Sequence, residues 1–424
     1  VQALLAVDVD GQGTQAALRA VLDQTPPLQG PDRALATELV YGVQRKRRPL
    51  DAWIATAAAR GLYAMEQPVL EALRVGAYQL AYMPRVPRFA AVHATVEASK
   101  GLIPAKQVGF LHAVLRGLAR QAEHGRVLED DELPAWIAQR IQAFAQRIGQ
   151  DPALMQQAFR EQAPLHVHAV RGNPADLEAL IAEGVPVQPL SGVEVPGVGE
   201  ITGGALFRSE AFASRRVLAQ DAGSAAVVEW LDVQPGMAVA DIAAGRGVKS
   251  LCLASRGARV TAVDVGAAKL IDAELLCRRA GHPLEATLVT DAAATIPLPQ
   301  ASFDAVLVDA PCTGLGTLRR RPEVRHRRFA ADLMRMADLQ RRILAHAAPL
   351  CRPGGVLVFA TCSFAVEEGP LVVDAFLHDH PEFQRDPGEQ PWVRPLLDAR
   401  GDLRTHPLLG GMDAFQAVRL RRRS

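Results

Sequence analysis

From about residue 215 to the C-terminus, short apolar runs alternate with amphipathic stretches, and this alternation restricts the fold more than any other feature of the chain. "AVADI" (238–242), "ARVTAVD" (258–264), "EATLVTD" (285–291), "FDAVLVD" (303–309) and "GGVLVFATCS" (354–363) read as strands. Between them lie the helical stretches "VKSLCLASRG", "AAKLIDAELLCRRAG" and a long segment over 331–350. Apolar strands separated by helices predict a mostly parallel sheet covered on both faces. The tail, "LRTHP" followed by "AFQAVRLRRR", predicts a closing hairpin.

The first third has a different texture. Leu35, Leu39 and Val43 fall on one helical face, as do Leu70, Leu73, Ala77 and Leu80, and two more helices follow. Residues 1–125 are therefore expected to form an all-α bundle. A charged connector, "RVLEDDELP", and the helix "AWIAQRIQAFAQRIG" make a linker over 126–150, and 151–212 reads as a small α+β unit ahead of the α/β region 213–424.

Composition narrows the function. A formal net charge of +1 advertises no global nucleic-acid binder, so any basic surface must be local. Five scattered cysteines without a CxxC pair argue against a disulfide scaffold or a structural zinc site, and suit a reducing cytoplasm. His166 and His168 in "LHVHAV" have no cysteine partner nearby, and no metal is expected. No run reaches the roughly 18 apolar residues of a membrane span, and no signal pattern opens the chain. Because the chain begins with Val1, its natural terminus is expected to lie upstream.

Ligands of open α/β sheets bind beyond the carboxyl ends of the strands, so the chemistry is sought there. The first such end reads "DIAAGRGVKS" (241–250), which is neither GxGxxG nor a Walker loop. Alone it is a tight strand–helix turn or a nucleoside site. Asp264, Asp291 and Asp309 end three further strands, each able to serve as a helix or turn cap or as a ligand-binding carboxylate. Taken together they describe an adenosyl cofactor site without phosphates, which favours S-adenosylmethionine over NAD or ATP. Cys252, Cys277 and Cys351 read as buried structural residues. Cys312 and Cys362 do not, because both stand at strand ends over the expected crevice.

"DAPCTGLGTLRRRPEVRHR" and "ATCSF" resemble the two cysteine motifs of the Sun/Fmu (RsmB-like) RNA cytosine-5 methyltransferases. "QDAGSAAVVEWL" resembles the helix that opens the family's catalytic domain, and the first third resembles NusB. The resemblance covers nearly the whole chain. It implies a NusB-like helical RNA-binding domain, an RRM-like small unit and a Rossmann-like class I methyltransferase domain with an antiparallel final hairpin. It implies Cys362 as the nucleophile that adds to cytosine carbon 6, Cys312 as the residue that assists product release, and Asp309 as a contact to the base. Ala243, Ala244, Gly245, Arg246, Gly247, Val248, Lys249, Asp264, Asp291 and Asp309 would hold the cofactor, with Arg246 reaching its carboxylate.

Arg319, Arg320, Arg321, Arg325, Arg327 and Arg328 follow the Pro-Cys motif and are expected to contact RNA phosphates, as are Arg45, Lys46, Arg47 and Arg48. The expected activity is methylation of small-subunit ribosomal RNA by a cytoplasmic monomer. The alternatives are transfer RNA or another ribosomal site, or an RNA-binding factor whose methyltransferase domain has decayed. Two departures from the family pattern stand out: "DIAAGRGVKS" lacks the usual Cys, Pro and second Gly, and the tail carries Ala414 and Gln416 where Gly and Phe are usual.

Overall fold

The computed structural model describes residues 1–24, 28, 30–58, 61–123, 128 and 133–424. Most of the expected charged connector (126, 127 and 129–132) lies outside the described residues. The chain forms two compact units, one of Val1–Pro134 with Arg321–Arg327, the other of Ala135–Arg320 with Arg328–Ser424.

The first unit is helical, and its centre is the helix Gln67–Tyr82. Leu70, Leu73 and Ala77 are buried there with Trp53, Ile54, Leu111 and Leu115, as the 3.6-residue spacing predicts. The helix Gly30–Arg45 is rotated from expectation: Val40 and Val43 are buried, whereas Leu35 is exposed. A buried ion cluster braces this unit, with Arg74 donating to Asp51 (2.7 and 2.8 Å) and to Glu71 (2.5 Å). The segment Arg321–Arg327 belongs to this unit by its contacts. Glu323 accepts from the Thr14 hydroxyl at 2.8 Å, and His326 bonds the Gln44 carbonyl at 3.0 Å.

The second unit carries two sheets. The smaller is antiparallel, ordered β2-β3-β1-β4, from β1 (Leu165–Ala169), β2 (Val187–Gln188), β3 (Val198–Ile201) and β4 (Val217–Ala219). His166 and His168 lie on β1 as core histidines; His168 bonds Gln220 and Glu229 at 2.9 and 2.8 Å.

The larger sheet contains β5 (Ala238–Ile242), β6 (Arg259–Asp264), β7 (Ala286–Val289), β8 (Phe303–Asp309), β9 (Cys351–Thr361), β10 (Phe383–Arg385), β11 (Leu403–Arg404) and β12 (Gln416–Arg422). Its order is β10-β12-β9-β8-β5-β6-β7, with β11 paired to β12. β5 through β9 are parallel, and β12 runs antiparallel to β9. Successive strands leave β5 in one direction through β6 and β7, then return on its other side as β8 and β9. The loops after β5 and β8 diverge at that reversal, which is where an open α/β sheet offers a ligand crevice. β7 ends two residues earlier than expected, so Asp291 lies beyond the strand in an exposed loop.

Candidate active site

The loop after β5 is the first wall of the crevice. Asp241 is fully buried, accepts from the Ser250 hydroxyl at 2.5 Å, and has its other oxygen without a partner. Burial pushes its carboxyl up to about 7. Ala243 holds a left-handed backbone (φ 61), a strained conformation for a residue with a side chain. Gly247 has φ 78, and a Cβ there would meet that of Ala273 at 2.5 Å, so glycine is what lets the helices Val248–Ser255 and Ala267–Arg279 approach.

Asp264 ends β6 almost fully buried. It accepts from the Gly245 amide at 3.0 Å, the Gly266 amide at 2.7 Å and Lys269 at 3.2 Å. Its carboxylate thus caps its own turn and pins the neighbouring glycine loop. A carboxylate has about four lone-pair sites, so capacity is left for ligand hydroxyls. Val265 and Val289, beside this end of the sheet, are 67% and 54% exposed, the apolar surface a nucleoside base would cover. Sequence reasoning passed over both, because single exposed valines carry no signal in the chain. Arg246 is exposed and pairs with Asp272; Asp291 caps the amide of Ala293 at 2.9 Å.

The second wall is built from the ends of β8 and β9. Lys249 reaches across to Asp309 at 2.7 Å and lies 5.7 Å from the ring of Phe415. Burial alone would lower the Lys249 ammonium, but Asp309 outweighs it and holds the group above the ordinary lysine value. The two thiols meet: Cys312 Sγ and Cys362 Sγ are 3.3 Å apart. Contact with Cys362, then burial, raises the Cys312 thiol well above its ordinary value. Cys252, Cys277 and Cys351 are buried elsewhere.

Glu368, invisible to motif reading, ties the two cysteine loops together. Its fully buried carboxylate accepts from the Thr313 amide (2.7 Å) and hydroxyl (2.5 Å), the Ser363 hydroxyl (2.6 Å) and Gln340 (3.4 Å). Thr313 follows Cys312 and Ser363 follows Cys362, so one side chain sets the spacing of both loops. Gly316 adds backbone bonds: its amide donates to the Cys362 carbonyl at 3.0 Å, and its own carbonyl accepts from Ala414 at 3.1 Å. A Cβ on Gly316 would come within 1.8 Å of the Ala414 oxygen. Phe364 is clamped by Phe144 and Phe159, with ring centroids 5.3 and 5.2 Å away.

Gln416 explains one departure of the tail. Its amide donates to the carbonyls of Ser363 (2.7 Å) and Ala365 (2.9 Å), while its oxygen accepts from Arg147 (3.2 Å). A phenylalanine there could not satisfy those buried carbonyls.

The arginine run departs from expectation. Arg319 is buried, with its guanidinium on the carbonyls of Gly411 and Met412 at 2.5 and 2.8 Å, and Arg320 pairs with Asp413 and Asp221 at 2.9 Å each. Arg325 is buried, Arg327 donates to the carbonyls of Gly11 and Gln12, and Arg328 to that of Thr313. A desolvated guanidinium requires fixed acceptors, and Arg319 has found them inside the protein, whereas Arg327 is exposed and Arg328 half-buried. They do not form a continuous phosphate-facing stripe. Arg321 is exposed beside Glu323. In the helical unit, Arg47 pairs with Asp8 at 2.7 Å, Lys46 lies over Tyr82, Arg45 is half-buried and Arg48 is exposed.

A doubly wound sheet with an antiparallel last strand pair, a glycine turn without a phosphate-binding pattern and an acid at the second strand end define a methyltransferase that uses an adenosyl cofactor. Comparison with known proteins narrows the class. Residues 228–421 match the family model "16S rRNA methyltransferase RsmB/F", and residues 1–120 match the NusB family. The ribosomal RNA small subunit methyltransferase B of Thermus thermophilus is 34% identical, covering 100% of this chain and 96% of its own. The Xanthomonas campestris protein of the same name is 32% identical over 91% of this chain and 88% of its own. Among solved structures, that of PH0851 superposes with a TM-score of 0.80 at 23% identity, covering 99% of this chain and 97% of that one, which shows a shared fold. The chain belongs to the RsmB/F family of S-adenosylmethionine-dependent methyltransferases, with an N-terminal NusB-family domain.

Proposed function

We propose that this protein methylates carbon 5 of a cytosine in small-subunit ribosomal RNA through a covalent cysteine adduct. The observation that carries the reading is the pair of thiols 3.3 Å apart at neighbouring strand ends, beside the Lys249–Asp309 pair. The residues present fit S-adenosylmethionine. Asp264 and the 243–247 loop, with its strained Ala243, would hold its nucleoside and Val265 its base. When bound, the cofactor supplies the electrophilic methyl that carbon 5 takes up. Arg246 would contact its carboxylate after leaving Asp272, and Asp291 would approach from the exposed rim.

Carbon 5 of cytosine is a poor nucleophile until a thiolate adds to carbon 6. The two cysteines are chemically unequal in the way this requires. Contact with Cys362 and burial disfavour a thiolate at Cys312, and the two sulfurs share one hydrogen bond. The Lys249 ammonium interacts electrostatically with Cys362 as well as with Asp309. This supports the roles that the resemblance of the two motifs implies, Cys362 as the nucleophile and Cys312 as the residue that assists release. Asp309, held by Lys249, would accept from the base's amino edge. The target base must be unstacked to reach a thiol at the floor of a crevice.

Of the basic residues, the exposed Arg321 and Arg48 are the better candidates for phosphate contacts. The deciding experiment supplies labelled cofactor with unmodified 16S RNA or transfer RNA, followed by nucleoside analysis. The reading expects 5-methylcytidine in the 16S RNA; label in another nucleoside, or only in transfer RNA, contradicts it.

A further inference from the structure

In the methyltransferase unit, a cavity of about 430 Å³ is bounded by the end of the helix Ala135–Arg147, the turn Pro391–Leu396 and the segment 404–409. Its lining includes the apolar Leu396, Leu397 and Leu409. It also includes Arg147, Arg404, His406 and the carboxylate of Asp398. Arg404 is already neutralised, by Asp398 at 3.3 Å and Asp402 at 3.2 Å. Arg147 is held by uncharged acceptors, the Phe364 carbonyl at 3.0 Å and the Gln416 oxygen at 3.2 Å. Burial, and then the charge of Arg404, push its guanidinium down to about 10 against the opposing charges of Asp398 and Glu367. His406 is 8% exposed, and its Nδ1 is buried without a partner. An unsatisfied buried polar atom is costly, and a ligand that pairs with it removes that cost.

We propose that this cavity is a nucleotide subsite, taking a nucleoside monophosphate unit with its phosphate toward Arg147 and His406 and its base against the leucines. The volume falls within the roughly 300–1,000 Å³ of small-molecule sites. A lining that holds both cationic groups and leucines suits a ligand that carries an anion and a flat apolar body. Unstacked RNA nucleotides are recognised in this manner, by a cationic group on the backbone and apolar contact to the base. Arg147 touches both the cavity and the carbonyl of Phe364, two residues from Cys362, so occupancy is sensed at the catalytic loop. The unit comes from an unpaired nucleotide of the RNA substrate or from a free nucleotide; only the first source rests on the function proposed above.

The test titrates adenosine 5′-monophosphate into the full-length protein by calorimetry, with the cofactor site saturated by S-adenosylhomocysteine. Binding is expected, with adenosine at least about tenfold weaker, the equivalent of one charge-assisted contact near 1.4 kcal/mol. Leu409→Trp fills the cavity, and Arg147→Gln removes the charge while keeping a donor for the Phe364 carbonyl. Both are expected to weaken binding by about tenfold or more, with native folding checked by circular dichroism. Displacement of the mononucleotide by a single-stranded RNA octamer identifies RNA as the source, and persistence of binding identifies a free nucleotide. Absence of binding, equal affinity for adenosine, or wild-type affinity in both variants overturns the proposal. None of these readouts needs methyl transfer, so failure here is separable from failure of the proposed activity.

Discussion

Replacing Glu368 is the sharpest perturbation of the site that leaves both thiols in place. Its carboxylate takes four hydrogen bonds, three of them at 2.7 Å or shorter, from residues adjoining the two cysteines. In Glu368→Ala the buried Thr313 amide loses its acceptor, at about 1–3 kcal/mol. Loss of the remaining bonds and the void bring the destabilisation to about 3–5 kcal/mol. Released from that anchor, the loops need shift the thiols by only about 1 Å to cost on the order of a hundredfold in turnover. Glu368→Gln behaves differently. Burial raises the carboxyl of Glu368, so the neutral amide is close to a form this site already tolerates. The amide oxygen can still accept from the Thr313 amide while both hydroxyls rotate to accept from its nitrogen, so the loss is about 1 kcal/mol. Steady-state methyl transfer reads the turnover. Diamide-driven bridging of Cys312 and Cys362 reads their separation without any RNA. If Glu368→Ala turns over normally and its thiols bridge as fast as in wild type, the clamp argument is refuted.

Other consequences follow from the same geometry. Gly316→Ala drives a methyl group into the Ala414 carbonyl, and a loss of about 1–3 kcal/mol in chemical unfolding is expected. Burial raises Asp241 from 3.8 to about 7, so the folded chain retains a proton that the unfolded chain releases, and this group's contribution to stability falls as pH rises through that window. Asp241→Asn should therefore gain on wild type in thermal stability between pH 4 and 8; a difference flat in pH refutes the assignment. Arg320→Met removes one charged partner from each of Asp221 and Asp413, which keep His166 and Arg319, and is expected to cost about 1–3 kcal/mol while leaving the salt dependence of RNA binding unchanged. Arg48→Ala should instead lower the slope of log affinity against log salt by about one.

The sheet was legible because its strands are apolar and end in acids, a pattern that survives without neighbours. The cysteine pair was legible as two short motifs, and β8 and β9 being adjacent brings the thiols together. Glu368 and Gln416 were not, because their roles depend on contacts between segments that no local pattern announces. The arginine run misled for a related reason. A string of charges reads as solvent-facing, yet Asp221, Asp413 and the carbonyls of 411 and 412 arrive from more than 90 residues away to engage Arg319 and Arg320. Leu35 shows the smaller error of choosing one helical face when a neighbouring one, through Val40, is apolar as well.

The unequal roles of the two thiols are the centre of the account, and trapping the covalent intermediate tests them most directly. Cys312→Ala, incubated with cofactor and unmodified 16S RNA, should accumulate a protein–RNA adduct that survives a denaturing gel. Cys362→Ala should form no adduct and transfer no methyl groups. An adduct in Cys362→Ala, or continued turnover by that variant, would contradict the assignment of Cys362 as the nucleophile.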